Sequence, residues 1–237
     1  MTSVEPQSLT SEAKTIAVRT HGRYLIEVHP GARATLVGFH GYKENAAIHL
    51  DVLRRVAGDR RLNLISIQAL NRFYSRAKYD TPATAVVAGW MTSEDRDLAI
   101  ADNIAYVGAV LAEVAAEGHL TRPTFYCGFS QGVAMAYRAA AFVPRPCDGV
   151  IAVAGDVPPD VAPVAMGLPA VLIGQGTEDK FYTAETLAKD TATLRNSGVT
   201  VTEHVFTGGH AWDKVFDVRA GLFLDEQITA TTSRSGD

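Results

Sequence analysis

The stretch YCGFSQGVAMA, residues 126–136, places Ser130 between Gly128 and Gly132. Residues before the serine favour a β-strand and residues after it favour a helix, so the pattern predicts a strand that turns sharply into a helix. Two interpretations of the serine are open at this point. In one, the hydroxyl is exposed at the top of the turn as a nucleophile, and the glycines let strand and helix approach closely. In the other, Ser130 is simply the N-cap of the helix, a common use of serine.

On both sides of this stretch, short apolar runs alternate with helical periods. Strands are predicted at residues 34–39, 62–68, 124–127, 149–154, 170–173 and 200–206, and helices at 44–56, 94–116, 133–142, 183–195 and 212–229. Short β-rich runs joined by crossover helices indicate an α/β fold, with a mostly parallel sheet of about 7–8 strands and helices on both faces. In such a sheet, functional residues lie beyond the carboxyl ends of the strands.

Two local features complete this prediction. Residues 15–19 and 23–28 flank a His-Gly turn and are expected to form a hairpin, so the sheet should begin antiparallel. Thr92 and Asp95 have the spacing of a capping box, and we expect them to start the helix at residues 94–116.

Length and composition favour one soluble domain. With 237 residues and 47% apolar content, the chain can bury one substantial core, which we place at residues 14–230 between mobile ends at 1–13 and 231–237. A net charge of −4 gives no basic surface for nucleic acid. No signal peptide is recognised and no apolar run is expected to reach the length that spans a bilayer, so a cytoplasmic protein is expected. Cys127 and Cys147 lack metal-ligand spacing and are interpreted as reduced and structural, so no metal is expected.

Two stretches do not follow the alternation of strands and helices. They cover residues 70–91 and 156–168, and long loops inside a compact domain often form binding walls. Their aromatic residues could instead cover a sheet edge. On the binding-wall interpretation, the pocket residues are expected to be His40, Gly41, Phe73, Tyr74, Trp90 and Met91, together with the Pro158-Pro159 loop. Such walls would favour a small apolar acyl or aryl group.

A serine nucleophile needs a base and a group that orients the base. The sequence GQGTED follows the predicted strand at 170–173, so Glu178 or Asp179 emerges beyond a strand end. FTGGH follows the strand at 200–206 and places His210 before the last helix. The order of nucleophile, acid and base along the chain is that of acyl hydrolases. Each residue taken alone has a plain alternative, because Asp179 could belong to an ordinary turn and His210 could cap a helix.

Acyl transfer also requires hydrogen-bond donors for the oxyanion. The backbone N–H of Gln131, directly after the serine, is one expected donor. The second should come from the loop Gly41-Tyr42, and we expect the Tyr42 N–H. His40 follows an apolar strand and should shape this loop rather than act as a base.

These motifs resemble the serine carboxylesterase, phospholipase and acyl-protein thioesterase branch of the α/β-hydrolases. The resemblance runs from about residue 35 to 213 through His40-Gly41, GFSQG at 128–132, Gly176-x-x-Asp179 and Gly209-His210. It implies an α/β-hydrolase fold with little or no lid, Ser130 as nucleophile, Asp179 as acid, His210 as base and no cofactor. The family often continues His-Gly with Leu-Gly-Asp, whereas this chain has Tyr42-Lys43-Glu44.

The expected function is therefore hydrolysis of small or medium carboxylic esters through an acyl-enzyme on Ser130. Thioester hydrolysis, peptidase and acyltransferase activity remain open within the same chemistry. A non-catalytic domain that binds a small ligand or protein is the alternative from another class, since fold alone does not give function. A small-molecule ester is the expected partner, and a homodimer is a possible assembly.

Overall fold

The computed structural model describes residues 11–75 and 85–234. Its strands are β1 (Arg23–Glu27), β2 (Ala34–Phe39), β3 (Leu62–Gln68), β4 (Asn71–Ser75), β5 (Ala85–Gly89), β6 (Thr124–Phe129), β7 (Gly149–Val153), β8 (Val171–Gly176) and β9 (Val201–Phe206). Its helices are α1 (Ala46–Ala57), α2 (Arg96–Ala116), α3 (Gln131–Phe142), α4 (Ala184–Asn196) and α5 (Lys214–Arg234), with a short 3-10 helix at Ala162–Gly167.

The main sheet of the described chain has seven strands in the order β1-β3-β2-β6-β7-β8-β9. All neighbouring pairs are parallel except β1 and β3. Every residue of β2 and β3 is buried, as expected for strands covered on both faces. The predicted mostly parallel sheet is therefore confirmed.

The antiparallel start of the sheet is also confirmed, with a different partner from the one expected. Arg23 of β1 lies opposite Gln68 of β3, whereas residues 15–19 have no regular secondary structure. The predicted capping box is wrong: Asp95 has a left-handed backbone (φ 46°) and makes no capping hydrogen bond. The Thr92 hydroxyl instead donates to the carbonyl oxygen of Glu94.

Helices cover both faces of the sheet. On one face, α2, α3 and α4 pack through residues such as Leu111, Met135 and Leu194. On the other face, α1 and α5 pack through Leu53 and Phe223. Each face therefore has its own buried apolar layer, and the sheet lies between them.

Helix α2 is the one described helix that is long and apolar enough to cross a membrane by length and composition. The sequence-based expectation that no segment reaches this length is thus incorrect. Val107, Leu111 and Val114 on this helix are fully buried, and the helix packs on α3. These contacts give α2 the position of a core helix in this fold.

The two stretches predicted as long loops contain regular structure. Residues 70–91 include β4 and β5, which form a separate antiparallel two-stranded sheet. Tyr79 and Pro82 of this stretch lie outside the described residues. Residues 156–168 include the 3-10 helix.

The helices and strands do not test the predicted domain limits. Residues 11–22 have no regular secondary structure, and residues 1–10 lie outside the described part of the chain. Helix α5 continues to Arg234, beyond the expected start of the C-terminal tail. The limits of 14 and 230 stay a prediction.

Candidate active site

Ser130 is the single residue between the end of β6 and the start of α3. Its backbone angles, φ 50° and ψ −120°, are unfavourable for a residue with a side chain. The hydroxyl makes no capping hydrogen bond to α3. Its Oγ lies 2.8 Å from His210 Nε2 instead. Ser130 is thus the N-cap of α3 by position, but its side chain does not cap the helix, and the hydroxyl faces an imidazole.

The glycines on either side of the serine permit this sharp turn. A Cβ on Gly128 would lie 2.6 Å from the carbonyl oxygen of Gly132. A Cβ on Gly132 would lie 2.0 Å from the carbonyl oxygen of Phe39, the last residue of β2. Only glycine lets the first turn of α3 approach the neighbouring strands this closely.

Asp179 follows β8 and contacts the His210 ring nitrogen that does not face Ser130. Its Oδ2 lies 2.8 Å from His210 Nδ1, and its buried carboxylate accepts N–H bonds from Phe181 and Tyr182 at 2.8 and 2.9 Å. A carboxylate that accepts three hydrogen bonds is fixed in orientation, and it favours the tautomer in which Nδ1 carries the proton. Nε2 is then free to accept the serine proton. Glu178, the alternative acid, is exposed to solvent.

The loop after β2 lies beside the serine turn. A Cβ on Gly41 would be 2.8 Å from the ring of Phe129, the residue before the serine. The Gly41 N–H donates to Glu44 Oε2 at 2.7 Å and is not available to a substrate. Among the described residues, the backbone N–H groups of Tyr42 and Gln131 have no hydrogen-bond partner. These two donors are thus available at the same edge of the sheet.

Burial and hydrogen bonds fix His40 beneath this loop. The Ala69 N–H donates to Nε2 at 3.0 Å, so Nδ1 carries the proton and donates to the Gly41 carbonyl at 2.7 Å. Burial lowers the pKa of His40 to about 4. His40 is therefore neutral and both of its ring nitrogens are occupied, which fits the expected role in shaping the loop.

Trp90 and Gln131 complete the support of the turn. The Trp90 Nε1–H donates to the His40 carbonyl at 2.8 Å, and the whole residue is buried. The Gln131 side chain accepts the Trp90 N–H at 2.7 Å and donates to the Met91 carbonyl at 2.9 Å. Trp90 thus lies in the core under the site, not on its surface as predicted.

A cavity of about 400 Å³ opens beside Ser130 and His210. Of the six predicted pocket residues, Met91 lines it, and Pro158 and Pro159 line it as well. His40, Gly41, Phe73, Tyr74 and Trp90 do not line it. Phe73 packs on the Tyr42 ring at 5.6 Å, and Tyr74 is 64% exposed. These corrections have two causes: Phe73 and Tyr74 lie on β4, away from the cavity, whereas His40, Gly41 and Trp90 are buried.

Sequence reasoning missed several residues of the cavity wall. Phe181 lies with its ring 5.0 Å from that of His210, and Arg96, Arg138 and Asp156 also line the cavity. A signal existed for Arg138, since it is the one charged residue in the sequence of α3. Within residues 11–75 and 85–234, no group of three or more His, Cys, Asp or Glu residues could hold a metal ion.

Comparisons with known proteins agree with this architecture. A family model described as phospholipase/carboxylesterase matches residues 25–225. Esterase PE8 is 23% identical, with 86% of this chain and 97% of that chain covered and a TM-score of 0.64. The Bacillus cereus carboxylesterase is 16% identical, with 87% and 94% covered and a TM-score of 0.68. Zea mays acyl-protein thioesterase 2 is 18% identical, with 88% and 100% covered and a TM-score of 0.63. No curated protein sequence is significantly similar to the chain.

Proposed function

We propose that this chain, which belongs to the phospholipase/carboxylesterase family of α/β-hydrolases, cleaves carboxylic esters through an acyl-enzyme on Ser130. Membership of the family makes the protein a carboxylesterase-type hydrolase. Asp179 and His210 are the proposed acid and base. The observation that supports these roles is the pair of 2.8 Å contacts that joins Ser130 Oγ to His210 and His210 to Asp179.

In the proposed mechanism, His210 Nε2 takes the hydroxyl proton as Ser130 Oγ attacks the acyl carbon. Asp179 keeps the imidazole in the required tautomer and stabilises the imidazolium. The N–H groups of Gln131 and Tyr42 stabilise the oxyanion, each by a few kcal/mol. His210 then protonates the leaving alcohol, and a water molecule repeats the sequence on the acyl-enzyme.

A fluorophosphonate probe tests the nucleophile directly. We expect a covalent adduct on Ser130 by mass spectrometry, no adduct in Ser130→Ala, and much slower labelling in His210→Ala because the hydroxyl loses its base. Ser197→Ala is the matched control, since Ser197 lies in the turn after α4, and it should label like the parent protein. A well-folded protein that forms no adduct would favour the non-catalytic binding domain.

Thioester hydrolysis is the second candidate, because the family has thioesterase neighbours such as the Zea mays acyl-protein thioesterase. The same triad serves both bonds. We expect oxygen esters to be preferred, and kcat/KM for a matched ester and thioester of one acyl group decides between them. A preference of tenfold or more for the thioester would replace the carboxylesterase proposal.

We also propose a cytoplasmic location, and a homodimer as the assembly to test. Cys127 and Cys147 are both free thiols, as expected in a reducing compartment. Burial raises the pKa of Cys127, and that of Cys147 to about 12, so neither is a reactive thiolate.

The proposed homodimer is supported by exposed apolar side chains. Val205 on edge strand β9 and Val215 and Val218 on α5 are at least half exposed and offer a surface for a second copy. Light scattering of the purified protein measures its mass in solution.

A further inference from the structure

We infer that the substrate carries a free carboxylate several bonds from the ester group, and that Arg138 and Arg96 bind this carboxylate in the active-site cavity. The inference rests on the proposed function and adds the substrate class. It replaces the expectation of an apolar acyl or aryl pocket. Four observations support it.

The first observation is the placement of Arg138 along α3. Gln131, Ala134 and Arg138 all line the cavity, and their spacing of three and four residues puts them on one helix face. Eight residues of helix separate the backbones of Ser130 and Arg138 by roughly 12 Å. Long side chains on a helix lean toward its N-terminus, so the guanidinium lies nearer to the serine than this. A substrate lying along α3 can reach both groups.

The second observation is the state of the Arg138 guanidinium. Its side chain is 1% exposed, and Nε and Nη2 donate to the two carboxylate oxygens of Asp160 at 2.8 Å each. The third nitrogen, Nη1, lies 3.8 Å from the Met91 sulfur, and a thioether is a weak acceptor. The fork geometry thus holds the guanidinium rigidly and leaves one edge without a strong acceptor in the described structure.

The third observation is a second cation in the same cavity. Arg96, the first residue of α2, is exposed, lines the cavity and forms no salt bridge within the described residues. The hydrogen bonds from Arg138 lower the pKa of Asp160, and the charge of Arg96 acts in the same direction. Arg138 and Arg96 therefore bring two positive charges to one cavity, and Asp160 contacts the first of them.

The fourth observation is the position of Asp156, the carboxylate that lines the cavity. This residue is exposed. The N–H of Val157, the residue after Asp156, donates to Asp190 Oδ2 on α4 at 3.0 Å, which places Asp156 near α4. Arg138 and Arg96 belong to α3 and α2 instead.

The edge of Arg138 without a strong acceptor, together with Arg96 and its lack of a salt bridge in the described chain, explains why this arrangement selects an anion. A buried guanidinium edge is costly when it faces an apolar chain, and a carboxylate satisfies it with charge-assisted hydrogen bonds. Hydrolysis leaves this group unchanged. The ester C–O bond breaks, water supplies the oxygen bonded to the acyl carbon, and the alcohol takes the proton.

Two matched ester pairs locate the carboxylate. In the acyl pair, the 4-nitrophenyl monoester of adipate is compared with 4-nitrophenyl hexanoate. In the alcohol pair, the butyrate ester of 6-hydroxyhexanoate is compared with hexyl butyrate. We expect kcat/KM of the anionic ester to exceed that of its neutral partner by at least about tenfold in one pair, since hydrogen bonds to charged groups have this magnitude. The pair that shows the preference identifies the side of the ester that carries the charge.

Three variants test the assignment. Arg96→Gln and Arg138→Gln should each reduce the anionic-to-neutral ratio by about tenfold. Asp156→Asn should raise it, because a like charge is removed. Arg61→Gln is the charge-matched control: Arg61 precedes β3 at the amino-terminal edge of the sheet, opposite the site, and the ratio should not change. Because Arg96 is exposed, Arg96→Gln should stay folded, and its ester preference can be measured even if Arg138→Gln unfolds.

Calorimetry with adipate and the neutral hexanamide on Ser130→Ala separates this inference from the proposed function. Adipate should bind at least about tenfold more tightly, and Arg96→Gln should remove the difference. Equal binding of the two compounds, or equal turnover within both ester pairs, overturns the inference while leaving a serine hydrolase in place. Absence of turnover and of a fluorophosphonate adduct, with adipate still bound, would instead overturn the proposed function.

Discussion

The strained backbone of Ser130 is held by its immediate neighbours. The Ser130 N–H donates to the Val153 carbonyl at 2.9 Å, which ties the turn to the end of β7. A Cβ on Gly155 would lie 2.5 Å from the Ser130 carbonyl oxygen, so the next loop closes directly over the turn. Strain of this kind costs on the order of 1–3 kcal/mol and persists because the surroundings leave no alternative. The result is a hydroxyl that points away from its own helix and toward His210.

Glu44 performs a similar task for the neighbouring loop, and its replacement gives a prediction. Burial raises the pKa of Glu44, and its Oε2 accepts the Gly41 N–H. Glu44→Ala removes this acceptor and should lower kcat by about tenfold with a smaller change in KM, because the Tyr42 N–H acts mainly on the transition state. Steady-state kinetics with one neutral ester measures both constants.

Glu44→Gln is the matched control, because its amide oxygen can still accept the Gly41 N–H. We expect this variant to retain most of the parent kcat. Equal losses in the two variants would mean that the negative charge matters and not the hydrogen bond.

At the scale of elements, the first turn of α3 is pressed against β2. The close approach depends on Gly132, whose Cα faces the carbonyl oxygen of Phe39. The Gln131 amide then links the same turn to residues 90–91 after β5. These contacts hold the N-terminus of α3 where the oxyanion is proposed to form.

Gly132→Ala should therefore destabilise the fold. The added methyl would lie 2.0 Å from a backbone oxygen that cannot rotate away. We expect a loss of about 3 kcal/mol or more in the free energy of unfolding, at the upper end for overpacked sites. Urea denaturation followed by circular dichroism gives this value.

Gly167→Ala serves as the comparison, because no atom lies within 4 Å of its added Cβ. Its unfolding free energy should stay within about 0.5 kcal/mol of the parent value. If Gly132→Ala were equally mild, α3 would not depend on this contact with β2.

At the scale of the whole molecule, two buried histidines connect stability to pH. His40 lies under the loop after β2, and His49 lies on α1 with its Nε2 3.3 Å from the Cys127 carbonyl. Burial lowers the pKa of His40 to about 4 and is the main cause that lowers the pKa of His49 to about 3, with a further contribution from His40. Both are neutral in the folded protein at pH 7.

We predict that these histidines destabilise the fold as the pH decreases. An unfolded histidine titrates near 6.5, so between about pH 6.5 and 4 the unfolded chain binds more protons than the folded one. The stability that His40 provides above pH 6.5, about 3 kcal/mol, is lost as the pH falls through this window. Urea unfolding at pH 7, 6, 5 and 4 measures the decrease.

Carboxylates also contribute to the pH dependence: the raised pKa values of Glu44 and Asp190 act in the opposite sense, and the lowered pKa of Asp160 acts in the same sense. Histidine variants separate the two effects. His49→Gln should make the pH dependence shallower, whatever its stability at pH 7. His29→Gln, at an exposed position, should leave the slope unchanged. A slope that is the same in all three proteins would contradict the assignment to buried histidines.

The sequence by itself determined the order and type of most elements and the residues at the ends of the strands. Apolar periodicity encodes burial locally, and parallel strands bring their carboxyl ends to one edge. Ser130, Asp179 and His210 could therefore be expected to meet although up to 80 residues separate them. The glycines of GFSQG identified the tight turn for the same local reason.

Only the tertiary structure decided which side chains face the cavity. Trp90 and Phe73 have the aromatic character expected of a pocket wall, but they pack in the core and on Tyr42, whereas Arg138 and Arg96 line the cavity. Local sequence patterns indicate that a residue is buried, not which surface buries it. That choice depends on how helices and loops far apart in the chain pack against one sheet, and no local pattern contains it.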